Sequence, residues 1–265
     1  MKKTSLLTSL AVVASLTLVG CGGGGGGTSD AQSSTISGTA IDPELQKATV
    51  CLDLNHDMSC SQDEPTATTN TEGVFSLNVS QAQLDGNAPL MVINGKDRES
   101  GKAFKGKLMA DVSTALQNIT PLTTLIYAHR DRDMTKLEKI LGLTHEEMQE
   151  NMISAADEKG DIAPLKVALA LEKSAEALSP KDPFEFYRDC SDAIEKAGTT
   201  ASLEDVILSM VPVTSPALRD NMKKFLDDVR NTPASSAYDL ANTAREKALG
   251  YGIDYESMLE KITNP

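Results

Sequence analysis

Apolar positions follow three successive rhythms along the chain. Leu6 to Val19 is an apolar run mixed with Ser and Thr, preceded by Lys2 and Lys3. It is too short to span a bilayer comfortably, and with its cationic start it reads as a removable export signal. From Thr35 to about Leu116 the apolar residues fall into strand-length groups: Thr35 to Ala40, Ala48 to Leu52, Val74 to Val79, Leu90 to Ile93 and a further group within Ala103 to Met109. Clusters of Gly, Asn, Asp and Pro separate them, and Asn94-Gly95 is a turn dipeptide. Several short strands at such spacing predict a small β-sandwich.

After Asn118 the period becomes helical. Thr120-Pro121, Asp182-Pro183 and Ser215-Pro216 each set a capping side chain before a proline at the first helical position. Thr144 with Glu147 has the spacing of a capping box. Leu203, Val206, Ile207 and Met210 share one helical face, as do Leu218, Met222, Phe225, Leu226 and Val229. Leu165 to Leu171 is apolar nearly all round and is the expected central helix. The spacing of starts predicts about six to eight short helices. The expected fold class is α+β, an N-terminal small β-sandwich followed by a C-terminal α-helical bundle.

Charge narrows the partners. The 265 residues carry a formal net charge of −13, which becomes −15 if Lys2 and Lys3 leave with the signal. Nucleic acid and an anionic lipid surface are therefore repelled, whereas cationic partners, metal ions included, are compatible. Trp is absent and aromatic content is 4 %, which weakens any role built on stacking sugars or bases. Gly22 to Gly27 and then Thr28 to Ser34 are small and polar, the composition of a flexible tether. A phosphate-cradling glycine loop would need a strand before it and a helix after it.

The end of the signal, Leu18-Val19-Gly20-Cys21, resembles the lipobox of bacterial lipoproteins. That resemblance implies that Cys21 becomes the first mature residue and carries acyl chains, each buried methylene contributing about 0.8 kcal/mol of membrane affinity. It further implies delivery to the outer membrane, since Gly22 stands where an Asp would mark retention in the inner one. The expected organisation is a signal at 1–20, lipidated Cys21 and tether at 21–34, a β-sandwich at 35–117 and a helical domain at 118–265.

Ile36-Ser37-Gly38-Thr39-Ala40, Ala48 to Asn55 with its Cys51-Leu52-Asp53-Leu54-Asn55 turn, Glu64-Pro65, and Thr71 to Leu77 with Gly73-Val74-Phe75-Ser76-Leu77 together resemble a carboxypeptidase-regulatory-like β-sandwich module of proteobacterial envelope lipoproteins. Ile119 to Leu125 is similar to the segment with which those lipoproteins begin a helical region. The likeness covers roughly Ile36 to Leu143 and implies a fold more than a function.

With Cys21 assigned to lipid, Cys51, Cys60 and Cys190 remain, and an oxidising envelope permits a Cys51–Cys60 bridge. Cys190 shares a helical phase with Phe186 and Ile194, which predicts a buried, inert thiol; a reactive or intermolecular thiol is the alternative. Within the same turn, Asp53, Asn55, Asp57, Ser59 and Glu64 occupy the ligand spacing of an EF-hand-type calcium loop, Ser59 through its carbonyl. Met58 stands where that loop normally needs Gly. The two expectations are a structural calcium ion and a metal-free turn closed by the disulfide.

Catalytic motifs are missing: there is no Gly-x-Ser-x-Gly elbow, His-Glu-x-x-His helix or Cys-x-x-Cys pair. His56, His129 and His145 are the available imidazoles, with His129 and His145 expected at solvated helix ends. A non-catalytic lipoprotein is therefore expected, anchored by Cys21 in outer-membrane lipid, its helical domain docking another envelope or surface-structure protein. The alternative is a surface-displayed adhesin-like factor. A hydrolase would require acidic side chains to converge in one deep pocket.

Overall fold

A computed structural model describes residues 33–42, 45–98, 100–112 and 117–263. The signal, Cys21 and the tether as far as residue 32 lie outside the described residues. Strand β1 (Ser33–Ala40) begins inside the stretch expected to be tether, so that boundary moves: Ser33 and Ser34 pair with Ser80 and Val79 of β5 (Val74–Ser80). On its other edge β1 runs parallel to β9 (Gln117–Ile119), giving the sheet order β5-β1-β9. β9 also shifts the expected onset of helix, since residues 118 and 119 are strand.

A second sheet, antiparallel throughout, has the order β4-β3-β6-β8, from β4 (Thr66–Thr68), β3 (Thr49–Leu52), β6 (Leu90–Ile93) and β8 (Lys107–Ala110). The short pair β2 (Leu45–Gln46) and β7 (Lys96–Asp97) continues the β3–β6 ladder in the same register, Leu45 opposite Asp97 and Thr49 opposite Ile93. Between the two pairs the backbone goes left-handed at Lys47 (φ 55°), Asn94 (φ 60°) and Gly95 (φ 89°). A Cβ on Gly95 would lie 2.7 Å from that of Ala48, so glycine permits the close approach. Asn94-Gly95 thus interrupts a continuing ladder rather than turning the chain. The reversal comes at 97–102, where the Asp97 N–H donates to the Lys102 carbonyl at 2.9 Å.

The two sheets differ in how they are buried. β5 alternates exposed and buried positions, as a strand with one wet face should. In the second sheet successive residues point to two different cores. Val50, Leu52, Leu90, Val92, Leu108 and Ala110 join Ile36, Phe75 and Leu77 of the first sheet, while Cys51, Met91 and Met109 join the helical core. The runs Thr49–Leu52 and Leu90–Ile93 lack polar alternation because both of their faces are covered.

The helices that cover it are α2 (Pro121–His129), α3 (Met134–Leu141), α4 (His145–Gln149), α5 (Met152–Ser154) continuing into a π-turn at Ala155–Lys159, α6 (Ala163–Leu178), α7 (Pro183–Lys196), α8 (Leu203–Met210), α9 (Pro216–Asn231), α10 (Ala237–Gly250) and α11 (Tyr255–Thr263); α1 (Gln81–Leu84) is a single turn after β5. From Pro121 on there are ten among the described residues, more than the six to eight predicted. Those the spacing did not single out are α3, α5 and α10, capped by Asp133, Asn151 and Ser236, and α11. The predicted starts at Thr120, Thr144, Asp182 and Ser215 hold, and Thr120 and Thr144 form capping boxes. α6 is central, packing on α2, α7, α9, α10 and α11.

Thr123 and Thr124 of α2 fasten the helices to the sheet. The Met109 N–H of edge strand β8 donates to Thr124 Oγ1 at 2.9 Å, and Thr123 Oγ1 donates to the Met109 carbonyl at 3.2 Å. An edge that would otherwise offer unpaired backbone groups is closed by side chains. Residues 33 onward fall within one compact unit, so the change of period near Asn118 marks a change of element and no gap in packing. No helix among the described residues is long and apolar enough to cross a membrane.

Candidate functional site

The turn after β3 gathers Asp53, Asn55, Asp57, Ser59 and Glu64 but commits their oxygens internally. Asp53, wholly buried, accepts from the Asp57 and Met58 N–H groups at 3.1 Å each. Asp57 accepts from the Ser59 N–H and hydroxyl at 2.8 Å. The two Glu64 oxygens accept from the Leu54 and Ser61 N–H groups at 2.9 Å. Burial raises the Asp53 carboxyl, and the Ser59 hydroxyl lowers that of Asp57. Met58 takes the left-handed conformation usual for Gly, φ 63°, while Lys107 Nζ donates to its carbonyl at 2.8 Å. Cys51 and Cys60 form a disulfide with Cα atoms 5.7 Å apart.

Among the described residues no group of three or more His, Cys, Asp or Glu side chains is placed to hold a metal ion. In this arrangement the carboxylates of the turn accept from backbone amides and from the Ser59 hydroxyl, and the bridge and Lys107 close it further. Replacing both Cys51 and Cys60 with Ala is therefore expected to cost about 2–3 kcal/mol in a denaturant titration, while a saturating calcium chelator leaves Tm unchanged. A chelator-dependent fall in Tm would return the ion to this loop.

His129 departs from expectation. It is wholly buried, with Nδ1 2.9 Å from Ser191 Oγ, and Nε2 3.2 Å from the Asp133 carbonyl and 3.5 Å from Glu195 Oε1. Burial lowers its pKa. The trio Ser191, His129 and Glu195 has the composition of a nucleophile, base and orienter, yet Ser191 and His129 have no exposed surface, and a substrate cannot reach the hydroxyl on the inner face of α7. Cys190 beside it is free and fully buried, its thiol pushed up to about 12 by burial, in line with an inert thiol. His56 and His145 are exposed.

Where the 41–42 turn meets α6, charge is buried. Asp42 (5 % exposed) faces Glu172, and Lys173 binds Glu172 and Glu176, the latter at 2.8 Å. Burial, followed by the negative charge of Glu172 and a hydrogen bond with it, raises the Asp42 carboxyl well above its usual range. Burial also pushes Glu172 upward, but Lys173 and the Asp42 bond together hold it low. Among the described residues Asp42 Oδ1 has no hydrogen-bond partner. A second tie, Asp97 of β7 with Arg245 of α10 at 2.9 Å, lies beside the first on a cleft of about 260 Å³. Acidic side chains thus do converge, at the junction of strands and helices and around a lysine. The sequence signal for this cluster was available: the buried stripe Leu165, Ala168, Leu169 continues at helical spacing into Glu172, Lys173 and Glu176.

Two further concavities lie on the helices. The larger, about 560 Å³ between α7 and α8, is rimmed by Asp189, Asp192, Lys196 and Asp205, of which Asp192 pairs with Arg132 and Asp205 accepts from Ser202. The other, about 290 Å³, is an apolar furrow floored by Leu141, Val167, Ala170, Leu203, Leu226 and Val229. Its rim is Lys166, whose Nζ donates to the Arg230 carbonyl at 2.7 Å, and the Arg230–Glu204 ion pair at 2.7 Å. No protein-family model, curated protein or solved structure matches this chain.

Proposed function

We propose that this chain is a non-catalytic lipoprotein, held in the outer membrane through acylated Cys21, that uses its helical region to dock another envelope protein. The β region, read as a small sandwich, stands that surface off the membrane on the glycine tether. The observation that carries the docking role is the furrow among α3, α6, α8 and α9: an apolar floor inside a polar rim is the anatomy of a site for one anchoring side chain. The complementary partner presents an aliphatic or aromatic anchor to that apolar floor.

Two substitutions test the halves of this proposal. Cys21→Ala is expected to yield an unlipidated form that leaves the membrane fraction; full retention there contradicts the anchor. Leu203→Glu places a charge in the half-buried wall of the furrow. It is expected to abolish co-isolation of the partner that wild type retains in detergent, with a Tm close to wild type. Undiminished co-isolation with Leu203→Glu would remove the furrow from the account.

A further inference from the structure

In the sheet β5-β1-β9, strand β5 is hydrogen-bonded on one side, to β1. Backbone groups alternate in direction along an antiparallel strand. The Ala40 N–H donates to the Gly73 carbonyl at 2.9 Å, so residues 73, 75, 77 and 79 turn their backbone groups toward β1, while 74, 76, 78 and 80 turn theirs outward. Both ends of the outward row are engaged. The Val74 N–H donates to Asn70 Oδ1 at 2.8 Å and its carbonyl accepts from the Asn70 N–H at 2.9 Å, and the Ser80 N–H donates to Gln83 Oε1 at 2.8 Å. Between them, the N–H and C=O groups of exposed Ser76 and Asn78 have no partner among the described residues.

Strand edges are normally blunted by a charge, a proline, a bulge, shortness or a covering element. β8 is closed by Thr123 and Thr124, and β4 and β9 are three residues long. β5, Val-Phe-Ser-Leu-Asn-Val-Ser, has seven residues with no charge and no proline, and its neighbour β1 is uncharged as well. In a chain with 24 % charged residues and a net charge of −13, this strip lets two copies approach without like charges meeting across the strands. Its free groups are also self-complementary. Set antiparallel to a second copy about a two-fold axis at Leu77, each Ser76 stands opposite an Asn78, and the N–H of each donates to the carbonyl of the other. The next pair in that ladder would be Val74 with Ser80, whose N–H groups are already engaged, so a partner strand is limited to the two residues that a second copy matches in length and register.

We propose that β5 is a self-association edge, through which two copies of this chain pair antiparallel about Leu77 and join their sheets in the order β9-β1-β5-β5-β1-β9. A contact made by one strand from each copy is small beside stable interfaces, so the dimer is a weak one. This edge is separate from the docking furrow and from the acyl anchor.

The test co-expresses full-length chains carrying Ser76→Cys and Asn78→Cys under different tags and oxidises them in cells. Cys51 and Cys60 are already bridged and Cys190 is buried, so the introduced thiols report the contact. The control pairs Asn78→Cys with Ser37→Cys, exposed on the same sheet but one strand further in, opposite Ser76 of its own chain. The Ser76–Asn78 combination is expected to give about tenfold more mixed covalent dimer than this control, whose residues would lie two strand spacings, about 10 Å, apart. Independently, Ser76→Glu combined with Asn78→Glu sets carboxylates directly opposite one another and is expected to weaken dimerisation of the full-length protein in detergent by about tenfold in sedimentation, with Tm close to wild type. Mixed dimer no more abundant than in the control, an adduct with a different protein in its place, or undiminished association of the folded double-glutamate variant would each overturn the proposal.

Discussion

Lys173→Met is expected to destabilise the fold by about 3–5 kcal/mol, the range for removing one partner of a buried ionic cluster. The lysine side chain is 11 % exposed and bonds both Glu172 and Glu176, and these two glutamates hold its pKa up despite burial. Methionine matches its length but removes the cation that does most to hold Glu172 low against its burial. The folded state must then take up further protons or open the junction between the 41–42 turn and α6. Urea titration at neutral pH reads the loss. Because the penalty comes from uncompensated carboxylates, Lys173→Met combined with Glu176→Gln is expected to recover part of it, a coupling that a double-mutant cycle measures. Additive losses would mean that the lysine acts through packing alone.

Gly38→Ala is expected to cost about 3 kcal/mol by overpacking. Gly38 stands in β1 opposite Phe75 of β5 and beside Gln117 of β9. An added Cβ would run into the Gln117 carbonyl and come within 2.8 Å of the Phe75 ring. The ring can turn, but the carbonyl belongs to the backbone of β9, which leads directly into the Thr120 cap of α2. The expected signature is fast amide exchange at residues 117–119 together with the loss of stability. Gly198→Ala, where an added Cβ meets nothing within 4 Å, serves as the control and is expected to be neutral.

The sequence made the helix starts legible because capping is local chemistry: Thr120-Pro121, Thr144 with Glu147, and Asp182-Pro183 need only their own neighbours. The Cys51–Cys60 bridge followed from spacing and elimination, and the structure joins the two. What stayed hidden depends on distant partners. His129 looks like a solvated helix end until α7 brings Ser191 and Glu195 against it. Asn94-Gly95 has the composition of a hairpin turn, but the pairing of Leu45 with Asp97 beyond it carries the ladder through. The apolar runs of β3 and β6 fit a sandwich until Cys51 and Met91 are seen to face helices. The helical spacing puts Glu172, Lys173 and Glu176 on the continuation of a buried stripe, but nothing local reveals that Asp42 lies across from them.

The central claim is that the helical furrow is occupied by another envelope protein. A photo-cross-linking side chain placed at Val167 on the furrow floor, in lipidated protein in living cells, tests it most directly when compared with the same group at exposed Tyr238 on α10. One discrete protein adduct at Val167, absent at Tyr238, is the predicted result. No adduct at Val167, or the same adducts at both positions, would contradict docking through this surface.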